Sequence, residues 1–509
     1  MKRVLVANRG EIAVRIIRTL REMGITSIAI FSEADRDAPH VRLADYAYNV
    51  GEAPVARSYL NAERILAVAQ QAGVHGLHPG YGFLSENADF AQACAAQGVT
   101  FIGPSPDAIR LMGSKKAARE QMQACGVPII PGGNANSLEE AQRTATQLGY
   151  PVLIKASAGG GGKGMRRVNS EAELASSLER AASEAQRAFG DGTIYIEKAL
   201  QRARHVEIQV LADQHGNAVH LFERDCSIQR RHQKVIEETP CPGVPASVIE
   251  RMGEISVNAV RQLGYYSAGT FEFMVDSSGE FYFLEMNTRL QVEHPITEWC
   301  TGVDLVREMI GVARGERLGL QQQTVSRRGV ALECRIYAED PLRNFLPSPG
   351  LVSELRVPAG PGVRDDSGIA VGYRVTPHYD PLLSKLSVWA PTRELAIQRM
   401  QRALSEYRLV GLNNNLAFHR RVMQHAEFRA GNYDTHFIEQ HAAELLQPDS
   451  LSEQDARDLV AAVAVAHAHH TEQQGRSASV GAAATASTAS SSALSPWTLS
   501  LRDGTDRSS

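Results

Sequence analysis

The 509-residue sequence has little of several features that mark special classes of protein. Its six cysteines are scattered without a C-x-x-C pair, which argues against a zinc site or a disulfide framework. No run of about eighteen apolar residues occurs, and Asn8, Arg9 and Glu11 interrupt the N-terminal apolar stretch, so neither a membrane span nor a signal peptide is expected. The formal net charge of −4 gives no basic field for nucleic acid. We therefore expect a cytoplasmic protein without nucleic-acid or membrane partners.

Two widespread nucleotide-binding motifs are also missing. The turn after the first predicted strand has one glycine, Gly10, instead of the G-x-G-x-x-G of a dinucleotide site. The glycine run at residues 159–164 is not a Walker A loop, because Lys163 is followed by glycine and not by serine or threonine. An NAD-dependent oxidoreductase is therefore disfavoured.

Strand and helix patterns alternate near the N-terminus. Residues 3–7 form an apolar strand pattern, residues 11–23 carry apolar positions at helical spacing, and residues 27–31 form a second strand pattern. This alternation predicts a doubly wound α/β fold with a parallel sheet, in which ligands bind beyond the carboxyl ends of the strands.

A glycine-rich loop follows a later strand. Residues 151–155 form the strand, which ends at Lys155, and the loop at 159–164 contains Lys163. Glycine lets backbone N–H groups close over anionic oxygens, because no Cβ atom blocks the approach. A lone glycine run is usually a flexible surface loop, but the two flanking lysines favour phosphate binding, in a small module that acts as a lid.

A predicted β-hairpin places acidic residues within apolar strands. Residues 270–275 and 281–287 form the strands, and the turn between them is typical of hairpins. Side-chain alternation puts Glu285 and Asn287 on one face of the second strand. The apolar neighbours indicate a buried site, and the alternative is that the glutamates face solvent at a sheet edge.

The register of this hairpin decides whether a metal site forms. If Asp276 pairs with Phe281, Glu272 lies opposite Glu285, and their carboxylates repel each other by about 3–4 kcal/mol at an effective dielectric constant of about 20. A divalent cation would remove this cost, and carboxylate and amide oxygens suit Mg²⁺ that carries nucleotide phosphates. A register shift of one residue would break the arrangement.

Charged residues continue beyond the hairpin. Arg289, Gln291 and Glu293 follow at alternate positions. A planar guanidinium suits a planar oxyanion such as bicarbonate, and Glu293 beside it is a candidate general base, although such a pair is more often a local salt bridge. The basic segment 223–234 contains acidic residues and lacks aromatic residues for base stacking, which favours an anion-binding active site over a nucleic-acid patch.

Together these segments resemble the biotin carboxylases, which are ATP-grasp enzymes. The resemblance extends from about residue 1 to 445 and implies an α/β ATP-grasp fold with a doubly wound N-terminal domain, a mobile glycine-rich lid and a C-terminal mixed α+β region. Six segments in order carry it: Ala7–Ala13 (ANRGEIA), His78–Asn87 (HPGYGFLSEN), Lys155–Met165 (KASAGGGGKGM), Arg204–Gln209 (RHVEIQ), Arg230–Lys234 (RRHQK) and Glu285–His294 (EMNTRLQVEH).

The resemblance for residues 1–446, together with the composition of the residues after 446, predicts a division of the chain into five regions. These are an N-terminal domain at 1–114, an ATP-grasp domain at 115–330 with its lid at about 131–203, a C-terminal domain at 331–446, a helical extension at 447–474 and a low-complexity tail at 475–509.

It also implies a role for each residue of a composite site. The residues implied at ATP are Lys115, Lys155, the backbone of Gly161 and Gly162, the hinge residues Glu197, Lys198 and Leu200, and His205, His232, Glu272 and Glu285. Glu272, Glu285 and Asn287 would hold Mg²⁺ or Mn²⁺. Lys234, Arg289 and the Val292 backbone would bind bicarbonate, Glu293 would deprotonate it, and Arg335 would steady the carboxyphosphate intermediate and biotin.

The implied activity is that of a ligase. It would carboxylate biotin with ATP and bicarbonate through carboxyphosphate, as the first half-reaction of an acyl-CoA carboxylase in fatty acid metabolism. Biotin would be carried by a biotin carboxyl carrier domain or protein, and the other partners would be a second copy of the chain in a homodimer and a carboxyltransferase subunit. The sequence has no Ala-Met-Lys-Met attachment motif, so we expect a stand-alone subunit or a chain cut before its carrier domain.

The sequence alone is compatible with two other functions. One is another ATP-grasp ligase, such as half of a carbamoyl-phosphate synthetase, which ammonia rather than biotin would stimulate. The other is a non-catalytic scaffold that has kept the fold. Every implied ligand residue is present, which argues against the scaffold.

Overall fold

The structure, a computed structural model, describes residues 1–135, 137–156, 166–189, 192–200 and 202–448, together with 457, 460–465 and 467–468. The chain divides into two compact units after Gln447. In the second unit, residues 460–465 are helical, within the helical extension predicted at 447–474. The predicted tail at 475–509 lies outside the described residues. No helix among the described residues is long and apolar enough to cross a membrane.

The N-terminal part is a doubly wound parallel sheet, as the alternating patterns predicted. Its elements are β1 (Arg3–Val6), α1 (Gly10–Glu22), β2 (Thr26–Ser32), α2 (Pro39–Leu43), β3 (Tyr46–Gly51), α3 (Ala62–Gln71), β4 (Gly76–His78), α4 (Ala88–Ala96), β5 (Thr100–Phe101) and α5 (Pro106–Gly113), with 3-10 turns at Glu33–Asp35 and Val55–Arg57. The strand order is β3-β2-β1-β4-β5, and every neighbouring pair is parallel. Apolar clusters cover both faces, which explains the continuous apolar character of its strands.

The turn after β1 is tied to the loop that follows β4. The Asn8 side-chain amide donates hydrogen bonds to the carbonyl oxygens of Pro79 at 2.7 Å and Tyr81 at 2.8 Å. Gly10 begins α1 with φ at 63°, a left-handed conformation that glycine adopts without strain. These loops lie at the carboxyl ends of neighbouring strands, where doubly wound folds bind ligands.

A small separate sheet forms the region predicted as the lid. Its elements are β6 (Gly132–Asn134), α7 (Leu138–Leu148), β7 (Val152–Ala156), β8 (Arg166–Val168), α8 (Glu171–Phe189) and β9 (Ile194–Lys198), preceded by α6 (Lys115–Ala124). The strands lie in the order β6-β9-β7-β8, and the two long helices pack on them around a core of their own. Gly161 and Gly162 of the predicted phosphate loop lie outside the described residues.

An eight-stranded antiparallel sheet is the largest layer. The remaining elements are β10 (Arg204–Ala212), β11 (Ala218–Arg230), β12 (Gln233–Thr239), α9 (Ala246–Leu263), β13 (Ser267–Val275), β14 (Phe281–Asn287), α10 (His294–Thr301), α11 (Leu305–Ala313), β15 (Val330–Tyr337), β16 (Glu339–Asp340), a 3-10 turn (Pro341–Arg343), β17 (Leu346–Pro347), β18 (Gly350–Leu351), β19 (Glu354–Arg356), β20 (Val363–Ser367), β21 (Arg374–Val375), β22 (Leu382–Ala390), α12 (Arg393–Glu406), β23 (Arg408–Val410), α13 (Leu416–Gln424), α14 (Ala426–Ala430), α15 (Phe437–Gln440) and α16 (Ala442–Leu445). The order in the large sheet is β14-β13-β10-β11-β12-β15-β22-β20.

This sheet continues across the predicted boundary between residues 330 and 331. Strand β12 pairs with β15, and Ile236 lies opposite Cys334. The predicted ATP-grasp and C-terminal regions therefore share one sheet, although α12 and α13 cover a separate apolar cluster at its C-terminal end.

Candidate active site

A cavity of about 2370 Å³ is lined by the N-terminal loops, the small sheet and the large sheet. This volume exceeds the about 300–1,000 Å³ typical of a pocket for one small ligand, so it has room for two substrates together. The described residues of the predicted site that line it are Lys115, Lys155, Glu197, Lys198, Leu200, His205, His232, Lys234, Glu272, Glu285, Asn287, Arg289, Val292 and Arg335. Glu293 lies behind this wall and is fully buried.

The hairpin β13–β14 brings Glu272 opposite Glu285, but by a different route from the one predicted. Val275, and not Asp276, pairs with Phe281, so the turn register assumed from the sequence is wrong by one residue. A register shift directly after Glu272 corrects the offset. Such bulges re-aim side chains next to active sites, and here the bulge restores the opposed carboxylates.

Lys234 is the centre of the buried charge network. Its ammonium donates to the carboxylates of Glu207 at 2.5 Å, Glu293 at 2.7 Å and Glu272 at 2.8 Å. Burial alone would lower the pKa of Lys234, but the three carboxylates outweigh burial and raise that pKa well above its ordinary value. The lysine therefore holds together residues from four strands and loops of the site.

Glu293, the predicted base, contacts a second cation. Arg335 donates to Glu293 at 2.9 Å through Nη2 and to Glu237 at 2.6 Å through Nε. Burial alone would raise the pKa of Glu293, but Lys234 and Arg335 hold it well below its ordinary value. In this arrangement Glu293 is ionised and is a weak base.

Arg289 and Glu293 do not form the local salt bridge that the sequence left open. The Arg289 guanidinium donates to Glu86 at 2.9 Å, to the Asn287 side-chain oxygen at 2.9 Å and to Gln291 at 3.1 Å. Burial alone would lower the pKa of Arg289, but Glu86 raises it. Beyond Asn287 the chain leaves the strand, so these side chains are positioned by this loop and not by strand alternation.

The opposed glutamates have the donor chemistry for a hard divalent cation. Burial and the nearby Glu272 carboxylate raise the pKa of Glu285. The Asn287 amide donates to Glu272 at 2.7 Å, and His205 Nε2 lies 2.7 Å from the other oxygen of Glu272. A bound Mg²⁺ or Mn²⁺ would relieve the repulsion between the two glutamates, so these oxygen ligands fit the predicted metal.

The predicted phosphate residue Lys155 and the predicted hinge residue Glu197 meet on the small sheet. The Lys155 ammonium forms an ion pair with Glu197 on the neighbouring strand. Lys115 is the first residue of α6, where the helix dipole favours anions. His232 lies in the left-handed region with φ at 66°, in the tight turn between β11 and β12 at the cavity.

Several residues that contact the predicted site residues or one another were not predicted from the sequence. They are Glu86, Glu207, Arg224, Glu237 and Lys385. Glu207 alternates with His205 and Gln209 on β10, and this spacing was a usable signal. Lys385 is fully buried and donates to the Val292 carbonyl oxygen at 2.8 Å, a contact between distant segments that no local pattern indicates.

Three family models match consecutive parts of the chain. They are the biotin carboxylase N-terminal domain at residues 1–109, the carbamoyl-phosphate synthase L chain ATP binding domain at 114–321 and the biotin carboxylase C-terminal domain at 333–440. The second model describes an ATP-binding part, and the two biotin carboxylase models flank it. The alternative of a carbamoyl-phosphate synthetase half is therefore disfavoured.

Curated relatives and solved structures agree with the family models. A biotin carboxylase of a Nostoc species is 52% identical over 440 residues, which cover 86% of this chain and 98% of the relative. Biotin carboxylase 1 of Bacillus subtilis is 51% identical over 442 residues, covering 86% and 98%. The biotin carboxylase domain dimer of Hydrogenobacter thermophilus 2-oxoglutarate carboxylase, in complex with MgADP, ADP and bicarbonate, matches with a TM-score of 0.82 and 47% identity, covering 88% and 99%. The chain belongs to the biotin carboxylase family of ATP-grasp ligases.

Proposed function

We propose that the residues around Lys234 carry out the carboxylation of biotin with ATP and bicarbonate in this chain. The observation that supports this assignment is the burial of Glu293 between Lys234 and Arg335, where Lys234 also contacts Glu272 of the opposed pair. Such a site combines cations for two anionic substrates with a carboxylate that can take a proton.

The metal would be held by Glu272, Glu285 and Asn287. Bound Mg²⁺ or Mn²⁺ neutralises charge on the ATP phosphates, which lowers the barrier to phosphoryl transfer. Lys115 and Lys155 hold the phosphate oxygens. Phosphoryl transfer depends mainly on positioning and electrostatic stabilisation, so no protein nucleophile is required.

Bicarbonate would bind between Lys234, Arg289 and the Val292 N–H group. When Lys234 donates to bicarbonate, it contributes less to the low pKa of Glu293, and the carboxylate becomes a stronger base. Glu293 then takes the bicarbonate proton as the bicarbonate oxygen attacks the γ-phosphate, the bond to the β–γ bridging oxygen breaks and ADP leaves. Proton removal is thereby coupled to the arrival of the substrate.

Arg335 would stabilise the carboxyphosphate formed by this attack. Carboxyphosphate decomposes to CO₂ and phosphate, the phosphate accepts the N1′ proton of biotin, and biotin captures the CO₂. Closure of the site around the substrates would keep water from this reactive intermediate. Glu237 holds the Arg335 guanidinium in place through its Nε atom.

The remaining parts of the proposal concern partners. We infer that biotin arrives on a carrier domain or protein and that a carboxyltransferase subunit completes an acyl-CoA carboxylase in the cytoplasm. We also infer that the chain forms a homodimer within that complex. The transferase determines the acyl-CoA acceptor, because the predicted site of this chain handles only ATP, bicarbonate and biotin.

The test is transfer of labelled bicarbonate to free biotin by the purified chain. ATP cleavage should require bicarbonate and rise with biotin, and the variants Glu293→Gln and Arg289→Ala should each lower it about ten-fold or more. The exposed Glu406→Gln variant is the matched control and should retain full activity. Stimulation by ammonia without a biotin effect, or unchanged rates in both variants, would refute the assignment.

A further inference from the structure

Three side chains that can bind a transition metal meet on the C-terminal helices. His425 lies between α13 and α14, His441 directly precedes α16, and Glu444 lies within α16. One ligand atom from each residue lies within 4.8 Å of the other two. None of the three lines the cavity described above, so the cluster is separate from the candidate active site.

The spacing of the donor atoms suits a tetrahedral ion. His425 Nε2 lies 3.1 Å from one Glu444 carboxylate oxygen, and His441 Nδ1 lies 3.8 Å from the other. Bonds of about 2.0–2.1 Å in tetrahedral geometry place ligand atoms about 3.3 Å apart. His441 and Glu444 are three positions apart and share one side of the helix start, so small side-chain movements bring the donors to these distances.

The donor set also selects the class of ion. Two imidazoles and one carboxylate match the ligands that Zn²⁺ accepts, whereas Mg²⁺ prefers an all-oxygen set. The His425 side chain is 10% exposed and the Glu444 side chain is 66% exposed, so water can complete the coordination from the open side. Phe437 packs against both imidazole rings, with centroid separations of 5.2 Å and 5.0 Å, and so orients them.

The two imidazole rings lie with centroids 4.2 Å apart and share the one carboxylate of Glu444. A divalent ion would give each imidazole a ligand bond in addition to the shared carboxylate.

We propose that His425, His441 and Glu444 bind a Zn²⁺-class transition-metal ion that fastens α16 to the junction of α13 and α14. The short helix α15 lies directly before α16, and its residues Ile438 and Glu439 line the cavity. The ion therefore fixes the segment that contributes this part of the cavity wall. The site does not depend on the function proposed above.

The proposal is tested by titrating the metal-free full chain with cobalt(II). Excess Mg²⁺ is present during the titration to occupy sites whose ligands are all oxygen atoms. Tetrahedral Co²⁺ gives visible absorption bands, and we expect one such ion per chain, displaced by Zn²⁺. His441→Ala and Glu444→Gln should each weaken binding by about ten-fold or more. His436→Ala, on the same segment, is the matched control and should bind normally.

The sequence also contains His467, His469 and His470, which could bind metal independently. The double variant His469→Ala/His470→Ala is therefore titrated alongside and should keep the tetrahedral bands. Loss of the bands in this double variant, or their persistence in Glu444→Gln, would overturn the proposal. Because Glu444 is exposed, its variant should fold even if His441→Ala does not. Zn²⁺ should also raise the melting temperature of the wild type more than that of Glu444→Gln.

Discussion

Replacement of Lys234 by methionine should lower the free energy of unfolding. It should also reverse the pH dependence of the contribution that this charge cluster makes to that free energy. The ammonium of Lys234 is the common partner of Glu207, Glu272 and Glu293. Methionine fills a similar volume but removes the charge and all three hydrogen bonds. The three carboxylates then face one another in a buried site without this cation.

The distances give the size of the effect. At the observed 2.5–2.8 Å and an effective dielectric constant of about 20, each contact contributes about 6 kcal/mol of attraction before desolvation. Desolvation of the lysine opposes much of this attraction. Removal of one partner from a buried ion pair typically costs about 3–5 kcal/mol, and we expect the free energy of unfolding to fall by that amount at about pH 8.

The sign of the pH dependence follows from proton binding. In the wild type, the pKa values of Glu272 and Glu293 are lowered, so their contribution to stability is present above about pH 4.5 and is lost as the pH falls. Without Lys234, repulsion raises the pKa values of the carboxylates in the folded state. The stability contribution of this cluster should then decline as the pH rises from about 5 to about 8.

Urea unfolding across this pH range measures the effect, with the exposed Lys116→Met variant as the matched control. The control should follow the wild type at every pH. A Lys234→Met variant that unfolds within about 0.5 kcal/mol of the wild type, with the same pH slope, would show that the network does not support the fold. The same variant should also lose bicarbonate-dependent ATP cleavage.

Three further changes have defined outcomes. Burial opposes ionisation of Asp35, but the Arg9 hydrogen bond lowers its pKa to about 2, so Asp35→Asn should cost about 3–5 kcal/mol in urea unfolding at neutral pH. The difference between wild type and variant should vanish as the pH falls from about 4 to about 2. A difference that stays constant would show that it does not come from the ionised Asp35 carboxylate. Burial raises the pKa of Asp365 to about 7, so wild-type stability should decline as the pH rises through this value. In thermal melts, Asp365→Asn should remove this decline of stability with rising pH. An unchanged pH profile in the variant would show that Asp365 does not cause the decline. Glu285→Gln should raise the Mg²⁺ concentration for half-maximal ATP cleavage about ten-fold, and an unchanged Mg²⁺ titration would exclude Glu285 as a ligand.

Local patterns in the sequence predicted the elements that carry the site. The alternation of apolar residues gave β14 its exact bounds and placed β13 correctly apart from its first residues. The pairing of Glu272 with Glu285 was also correct, but only because a bulge offsets a turn register that was assumed wrongly. A bulge of this kind depends on how both strands pack, so the turn sequence alone does not specify it.

Contacts between segments that are distant in the chain could not be predicted from the sequence. Glu86 and Arg289 are 203 positions apart, and no spacing rule connects them. The basic residues around Lys234 indicated an anion site, yet they did not indicate that three carboxylates surround the lysine. Burial of charge depends on the tertiary arrangement, because an isolated strand pattern shows which side chains share a face but not what covers that face.

The sheet shared by β12 and β15 limits how this protein can be divided or recombined. A fragment that ended near residue 330 would leave the backbone N–H and C=O groups of β12 without the partners that Cys334 and its neighbours provide. Open strand edges of this kind pair with other chains and promote aggregation. The boundary between the matching family models is therefore not a safe place for truncation, and chimeras should exchange the segment from β10 to β22 as one piece.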